Sequence, residues 1–141
     1  MKTFLAVFLL TLLLVSCSGV PEHEKNLLEG PEVKVDVAHL QEKTPEFYVV
    51  PYEGKEIRLF VVASGGEIQA YLNACLKCYP KRLGFRFEKD RVVCRACNVA
   101  YPLEELQSGI GGCYPIHLPG HAEEGRYVID KKTLLAARKY F

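Results

Sequence analysis

The chain has 141 residues, 49% of them apolar, and 18 basic side chains stand against 17 acidic ones. Residues 1–16 hold 12 of the apolar side chains and a single charge, Lys2; what remains is about 46% apolar with the two signs equal, the composition of one small globular domain. That balance excludes general nucleic-acid binding, which needs a basic excess to displace counterions from phosphate, and it excludes disorder for the bulk of the chain.

Lys2 supplies a positive start, Phe4 to Val15 form a 12-residue apolar run broken only by Thr11, and the run stops at Leu14-Val15-Ser16-Cys17. A membrane-spanning helix needs about 20 apolar residues, so residues 1–16 read as a secretory signal to be removed. The ending resembles the lipobox of bacterial lipoproteins, which implies that Cys17 is diacylated and becomes the mature N-terminus. Acyl chains contribute about 0.8 kcal/mol per buried CH₂, so two or three anchor a protein firmly. The expected location is the cell envelope, on a membrane surface facing the periplasm or the exterior. Ser18 in place of Asp after the cysteine favours the outer membrane by the same resemblance. Residues 17–30 form the lipidated N-terminus and a tether; Pro21, Glu22, Glu24, Lys25, Glu29 and Gly30 show no sustained periodicity, and a flexible coil of that length spans about 20 Å.

Residues 31–141 read as a cysteine-rich, metal-binding domain that is mainly β. Val33, Val35 and Val37 alternate with polar neighbours, a half-buried strand. Phe47 to Tyr52, Ile57 to Ala63 and Ile68 to Leu72 are β-branched or aromatic runs separated by Glu53-Gly54-Lys55 and Ser64-Gly65-Gly66, which predicts an antiparallel meander. Phe85 and Phe87 alternate with Arg86 and Glu88, Lys89-Asp90 makes a turn, and Val92-Val93 leads into Cys94, a further hairpin. Arg126 to Asp130 is a last short strand. Thr133 to Tyr140 is the one helical stretch, with Thr133 or Asp130 available as its cap. The expected architecture is therefore a small antiparallel β meander or sandwich with paired cysteine knuckles and a short C-terminal helix.

The chemistry lies in the cysteines. Cys75-Leu76-Lys77-Cys78 and Cys94-Arg95-Ala96-Cys97 are two CxxC pairs separated by 15 residues, the spacing of a four-cysteine metal site. Each pair puts two thiolates on one tight turn. Two such turns meeting at the base of the 85–94 hairpin supply a soft tetrahedral set for an iron-sulfur cluster, a single iron or zinc. In a domain this small the metal also substitutes for missing core, since structural zinc contributes on the order of 10 to 16 kcal/mol in small modules. Disulfides are the alternative in an oxidising compartment, with thiol–disulfide exchange a further one; once Cys17 is set aside five cysteines remain, which cannot all pair. Covalent c-type haem is excluded because CxxCH needs a histidine where this chain has Tyr79 and Asn98. Rieske ligation needs two histidine ligands, although the layout of ligand loop, hairpin and second ligand loop is similar to Rieske domains, and also to zinc ribbons.

Gly111-Gly112-Cys113-Tyr114-Pro115 is the third element, and its thiol is read either as a further cluster ligand or as a buried cysteine in a tight turn. His117 is a secondary candidate ligand and His121 a weaker one, both in a loop rich in proline. Tyr79, Phe85, Tyr101 and Tyr114 are expected to pack around the metal. From Cys75 to Cys97 seven basic residues (Lys77, Lys81, Arg82, Arg86, Lys89, Arg91, Arg95) face two acidic ones, while Asn98 to Gly125 carries four glutamates and no base. The cationic knuckles would stabilise a negatively charged metal–thiolate centre, and the same face could steer an acidic partner. Glu104-Glu105 reads as a solvated helix start. No Ser/His/Asp constellation, phosphate loop or paired-carboxylate site is visible, which makes a non-enzymatic carrier or metal-binding protein the expectation.

Five pieces of the run from Phe47 to Leu118 carry a family resemblance: Ile57-Arg58-Leu59-Phe60, Asn73-Ala74-Cys75-Leu76-Lys77-Cys78-Tyr79, Gly84-Phe85, Val93-Cys94-Arg95-Ala96-Cys97, and Gly111-Gly112-Cys113-Tyr114-Pro115-Ile116. In order and spacing they resemble the FtrD-like family of membrane iron-sulfur containing proteins, a domain of unknown function found beside ferrous-iron uptake permeases. The family usually has Asp at the place of Asn73, Asn at Tyr114 and Pro at His117. The resemblance implies iron-sulfur or other metal binding by Cys75, Cys78, Cys94 and Cys97, with Cys113 a participant. It also implies electron transfer in the envelope, linked to iron uptake through a redox partner or an iron-permease system. The readings from another class are a structural zinc-ribbon module that binds a partner protein and a disulfide-stapled lipoprotein.

Overall fold

In a computed structural model of the chain, residues 22–24, 30–106 and 112–141 are described. The expected signal segment, Cys17, most of the expected tether and Gly111 lie outside them. The strands in chain order are β1 (Glu22–Glu24), β2 (Glu32–Asp36), β3 (Glu46–Tyr52), β4 (Lys55–Ser64), β5 (Glu67–Cys75), β6 (Phe85–Glu88), β7 (Arg91–Cys94), β8 (Ala100–Pro102), β9 (Pro115–Leu118), β10 (His121–Glu123) and β11 (Arg126–Asp130), followed by helix α1 (Lys131–Ala136).

A central sheet runs β1-β3-β4-β5-β9, a second β10-β11-β2, and a third β6-β7-β8. The expected meander is β3, β4 and β5, antiparallel with Phe47 opposite Phe60 and Phe60 opposite Tyr71. Glu53 and Gly54 supply the first turn, both with positive φ, and Gly65 and Gly66 the second. Three residues of the segment expected to be a tether behave differently: β1 lies parallel to β3, with Glu22 opposite Phe47. The outer edge of β3 otherwise presents unpaired backbone N–H and C=O groups, which a passing strand satisfies.

The central sheet is covered on both faces. Tyr48, Val50, Ile57, Leu59, Val61, Ala70 and Leu72 pack on one side against Val33 and Val35 of β2, Tyr127 and Ile129 of β11, and Leu134 of α1. Phe47, Phe60, Val62 and Tyr71 pack on the other against Phe85, Val92 and Tyr101 of the third sheet, together with Cys75, Cys94 and Cys113. Two-sided burial is why Leu59 to Ala63 of β4 reads as a continuous apolar run, following the exposed Arg58, instead of an alternation. β2 keeps the alternation its sequence predicts, with Val33 and Val35 fully buried between exposed neighbours.

The helix is shorter than its sequence pattern. α1 spans six residues and tightens into a 3₁₀ turn over Ala137–Tyr140. Of the two candidate caps Asp130 serves: its Oδ1 accepts the Thr133 N–H at 3.0 Å. Leu103–Glu105 is likewise a single 3₁₀ turn rather than the start of a helix, and Glu104 forms an ion pair with Lys43. Among the described residues no helix is long and apolar enough to cross a membrane.

Candidate metal centre

The thiols arrive from three places on one side of the central sheet. β5 ends at Cys75, and the first knuckle follows as Cys75-Leu76-Lys77-Cys78 running into a 3₁₀ turn over Tyr79–Lys81. The β5–β9 ladder is irregular between Tyr71, opposite His117, and Cys75, opposite Pro115, so β5 takes extra residues there. Such a bulge bends a strand and re-aims its last side chains. Past it the Leu76 N–H donates to the Tyr114 carbonyl at 3.0 Å, which holds the Cys113 turn against the first knuckle.

The second knuckle hangs from β7, which ends at Cys94. Its turn is closed by Asn98 N–H donating to the Cys94 carbonyl at 2.8 Å and Cys94 N–H donating to the Val99 carbonyl at 2.9 Å. Asn98 sits at φ 59°, a left-handed conformation that asparagine tolerates better than most residues. Backbone hydrogen bonds from Ala96 and Cys97 reach the Cys94 thiol, and one from Val99 reaches Cys97. Amide donors aimed at sulfur stabilise a thiolate, which is the form that binds metal.

The hairpin between the knuckles is fixed at both. Asn73 Oδ1 accepts the Phe85 N–H at 2.8 Å; Arg95 donates its backbone N–H to the Gly84 carbonyl at 3.0 Å and its Nε–H to the Phe85 carbonyl at 3.0 Å. Gly84 has φ +63°, and a Cβ there would lie 2.5 Å from Asn73 Oδ1. The close approach therefore requires glycine.

All five described cysteines are free thiols, with Cys75, Cys94 and Cys113 buried, Cys78 intermediate and Cys97 exposed. Their sulfurs form two groups that share Cys78: Cys75, Cys78 and Cys94 lie within 4.8 Å of one another, as do Cys78, Cys97 and Cys113. Cys113 Sγ is 3.1 Å from Cys97 Sγ and 3.7 Å from Cys78 Sγ. The structure thus brings both CxxC pairs and Cys113 to one cluster, where the third element is as close to the knuckles as they are to each other.

Crowding divides the thiols chemically. Burial opposes ionisation of Cys97, yet its contact with Cys113 and the Val99 amide pull it down to about 7. Cys113 is pushed up by the neighbouring Cys97 sulfur and by burial. Burial raises Cys78 and Cys94 as well. Several sulfurs packed together in a desolvated pocket repel as thiolates, and a cation removes that repulsion. The donor set is all sulfur, soft and low in water, which fits an iron-sulfur cluster or a thiolate-bound iron or zinc.

An aromatic floor underlies the sulfurs. Phe60 stacks on Tyr71 with centroids 5.4 Å apart and meets Phe47, Phe85 and Phe87 at 5.7, 6.4 and 5.2 Å. Of the aromatic side chains expected around the metal, Phe85 and Tyr101 are buried in this group with Tyr114 packed at its edge. Tyr101 is raised by burial and then by the cysteine sulfurs beside it. Phe47, Phe60, Tyr71 and Phe87 join them without having been expected there; the continuous apolar stretch Leu59 to Ala63 of β4 is the signal the sequence offers. Tyr79 is corrected: it points outward and meets Tyr140 edge-on at 5.1 Å.

The histidines stand apart. His117 and His121 lie on strands β9 and β10 instead of in a loop. His117 packs edge-on to Tyr71 at 5.5 Å and burial lowers its pKa, while His121 pairs with Glu123 at 3.3 Å. Among the described residues the sulfur groups contain no histidine.

Residues 28–141 match the family described as membrane iron-sulfur containing protein, FtrD-like. No curated protein matches the chain.

Proposed function

The chain belongs to the FtrD-like family of membrane iron-sulfur containing proteins, and from that premise we propose that it is a one-electron carrier of the cell envelope, held to the membrane through lipidated Cys17. Cys75, Cys78, Cys94 and Cys97 would hold the iron-sulfur cluster, with Cys113 available as a fifth sulfur beside Cys97 and Cys78. The supporting observation is the gathering of five free thiols into two adjoining groups that share Cys78, buried on the sheet side and open at Cys97.

When bound, the cluster supplies a reversible one-electron change. The chain's own residues set the conditions for it. Phe60, Tyr71 and Phe85 exclude water beneath Cys75 and Cys94, which keeps the dielectric low on that side. The Ala96, Cys97 and Val99 amides hydrogen-bond to thiolate sulfur, and such bonds raise a cluster's potential by favouring the more negative, reduced state. The cationic side chains of residues 77–95 act in the same direction through space. Cys97, exposed while Cys75, Cys94 and Cys113 are buried and Cys78 half-buried, would be the thiolate that a redox partner meets first. The expected physiological setting is iron uptake or envelope respiration, through a redox partner or a permease system.

Metal and acid-labile sulfide analysis of the full-length protein from membranes, with an anaerobic visible spectrum before and after dithionite, tests this reading. Iron, sulfide and a band that bleaches are expected. One zinc and no colour would replace the carrier with a structural zinc module, for which the sharing of Cys75, Cys94 and Cys113 with the apolar core speaks; no metal and no free thiols would replace both with a disulfide-stapled lipoprotein.

A further inference from the structure

The large apolar side chains that the described residues leave exposed are Leu76 at 37%, Tyr79 at 36%, Leu83 at 52% and Val99 at 38%. Leu76 belongs to the first knuckle, Tyr79 and Leu83 to the connection, and Val99 closes the turn of the second. Single exposed apolar residues scattered over a surface are unremarkable, but confinement to one segment marks a site of contact. The knuckles are adjacent, since the Cys78 and Cys97 sulfurs share one group within 4.8 Å. Tyr79 and Leu83 line one open cavity of about 410 Å³ together with Arg82 and Tyr140.

Charge is distributed unevenly as well. Away from the knuckles Lys34, Arg58, Arg126 and Arg138 are paired in place with Glu32, Glu56, Glu124 and Glu53, whereas Lys132 and Lys139 of the C-terminal segment are exposed and have no ion-pair partner among the described residues. Lys77, Lys81, Arg82, Lys89, Arg91 and Arg95 have no ion-pair partner among the described residues, and all six are exposed. Lys89 and Arg91 sit at the far, turn end of the hairpin, but Lys77, Lys81, Arg82 and Arg95 belong to the knuckles and their connection. An apolar centre with such a cationic rim beside Cys97, the one exposed thiol among the described residues, is the anatomy of a protein docking face. Four partly exposed side chains make a small face, within the range of transient redox encounters. They lie on turns instead of along one amphipathic helix, so they do not form the continuous apolar stripe by which a chain lies in a lipid surface.

We infer that the two cysteine knuckles form a docking face for a small electron-transfer protein whose own contact surface is apolar at its centre and acidic at its rim. The choice of an electron-transfer partner rests on the carrier reading above. Uncompensated cations steer such a partner from a distance, and Leu76, Tyr79, Leu83 and Val99 form the dry contact that brings its redox group against Cys97.

The test uses one protein in two charge states: native cytochrome c, which is basic, and succinylated cytochrome c, which is acidic and carries the same haem. The holoprotein in detergent is titrated calorimetrically with each, and electron transfer from the dithionite-reduced sample is followed by stopped flow. Binding of the succinylated form, weakening by at least about tenfold between 10 and 200 mM salt, is expected, with none of the native form. The triple variant Lys77→Glu/Lys81→Glu/Arg82→Glu reverses the preference, whereas Lys34→Glu/Arg126→Glu, the control on the second sheet, leaves it. Leu76→Ser/Leu83→Ser weakens binding several-fold without changing the salt slope.

Equal binding of the two forms, no binding, or binding indifferent to these variants overturns the inference. So does binding to phosphatidylglycerol vesicles that the triple variant loses while neither cytochrome binds, which assigns the face to lipid. Calorimetry needs no redox-active centre, so a colourless sample overturns the carrier reading while the titration still decides the docking face.

Discussion

Asn73 and Phe85 are joined by a 2.8 Å hydrogen bond from the Phe85 amide to the Asn73 side-chain oxygen, two residues upstream of the first cysteine and at the first residue of the hairpin that carries the second knuckle. Together with the two bonds from Arg95 to the Gly84 and Phe85 carbonyls, it ties the two metal-bearing turns to each other. Asn73→Ala leaves the Phe85 amide without its partner, at a cost of about 1–3 kcal/mol, and Gly84→Ala forces a Cβ against the Asn73 oxygen in a left-handed conformation, costing about 1–3 kcal/mol. Both variants are expected to melt earlier and to hold less iron. Asn73→Asp keeps the acceptor and is expected to retain both properties; thermal melts with iron analysis check all three.

Cys78 belongs to both sulfur groups and Cys113 to one. Cys78→Ser is expected to lose the metal outright. Cys113→Ser is expected to retain iron at the parent stoichiometry and to shift the reduction potential, because it removes a sulfur 3.1 Å from Cys97 without removing a CxxC ligand. Iron content and a redox titration read the two effects separately. Equal loss of iron in both would make Cys113 an obligate ligand.

Removing the metal should loosen one layer and spare another. The core around β6, β7 and β8 contains Cys75, Cys94 and Cys113, whereas the core shared by β2, β11 and α1 contains no cysteine. Chelation under reducing conditions is expected to speed amide exchange in β6 and β7 by at least about tenfold, while β2 and β11 keep their protection, as in a fold with separable cooperative units. Hydrogen–deuterium exchange of the loaded and metal-free protein makes the comparison.

Alkaline pH should destabilise the opposite side. Tyr48 is raised by burial and then by Glu46, whose Oε2 accepts its hydroxyl at 2.8 Å. The unfolded chain ionises this tyrosine near pH 10. The folded protein holds the proton longer, so its stability is intact below about pH 10 and falls as pH rises beyond it. Tyr48→Phe is expected to cost about 1 kcal/mol at neutral pH and to flatten the alkaline decline; denaturant melts between pH 8 and 11 check both.

The strands of the meander, the 85–94 hairpin, the capped helix and the two CxxC pairs were legible because each is encoded locally: alternation, turn residues, a capping Asp130, a fixed cysteine spacing. The short strands β8, β9 and β10 were not, since Ala100–Pro102 and His121–Glu123 carry no periodicity and are strands only because a neighbour offers backbone partners. The aromatic floor was missed for a related reason. Phe60 and Tyr71 are remote in sequence from Cys94, and what places them beneath it is β4 being covered on both sides. Cys113 was visible as a candidate, but its contact with Cys97 depends on the β5–β9 pairing, which only the assembled sheet defines.

That pairing has a consequence for how the molecule is composed. The backbone leaves the central sheet after Cys75 and returns at Pro115, its paired position, with Leu76 and Tyr114 bonded across the gap. Everything between is an excursion whose two ends already stand side by side, and the larger core beneath the sheet owes it no cysteine. The protein thus divides into a scaffold and a cartridge that doubles as its lid: a tight turn joining β5 to β9 would keep the core of β2, β11 and α1 but bare Phe47, Phe60, Val62 and Tyr71, so any replacement cartridge must bring its own apolar face to cover them.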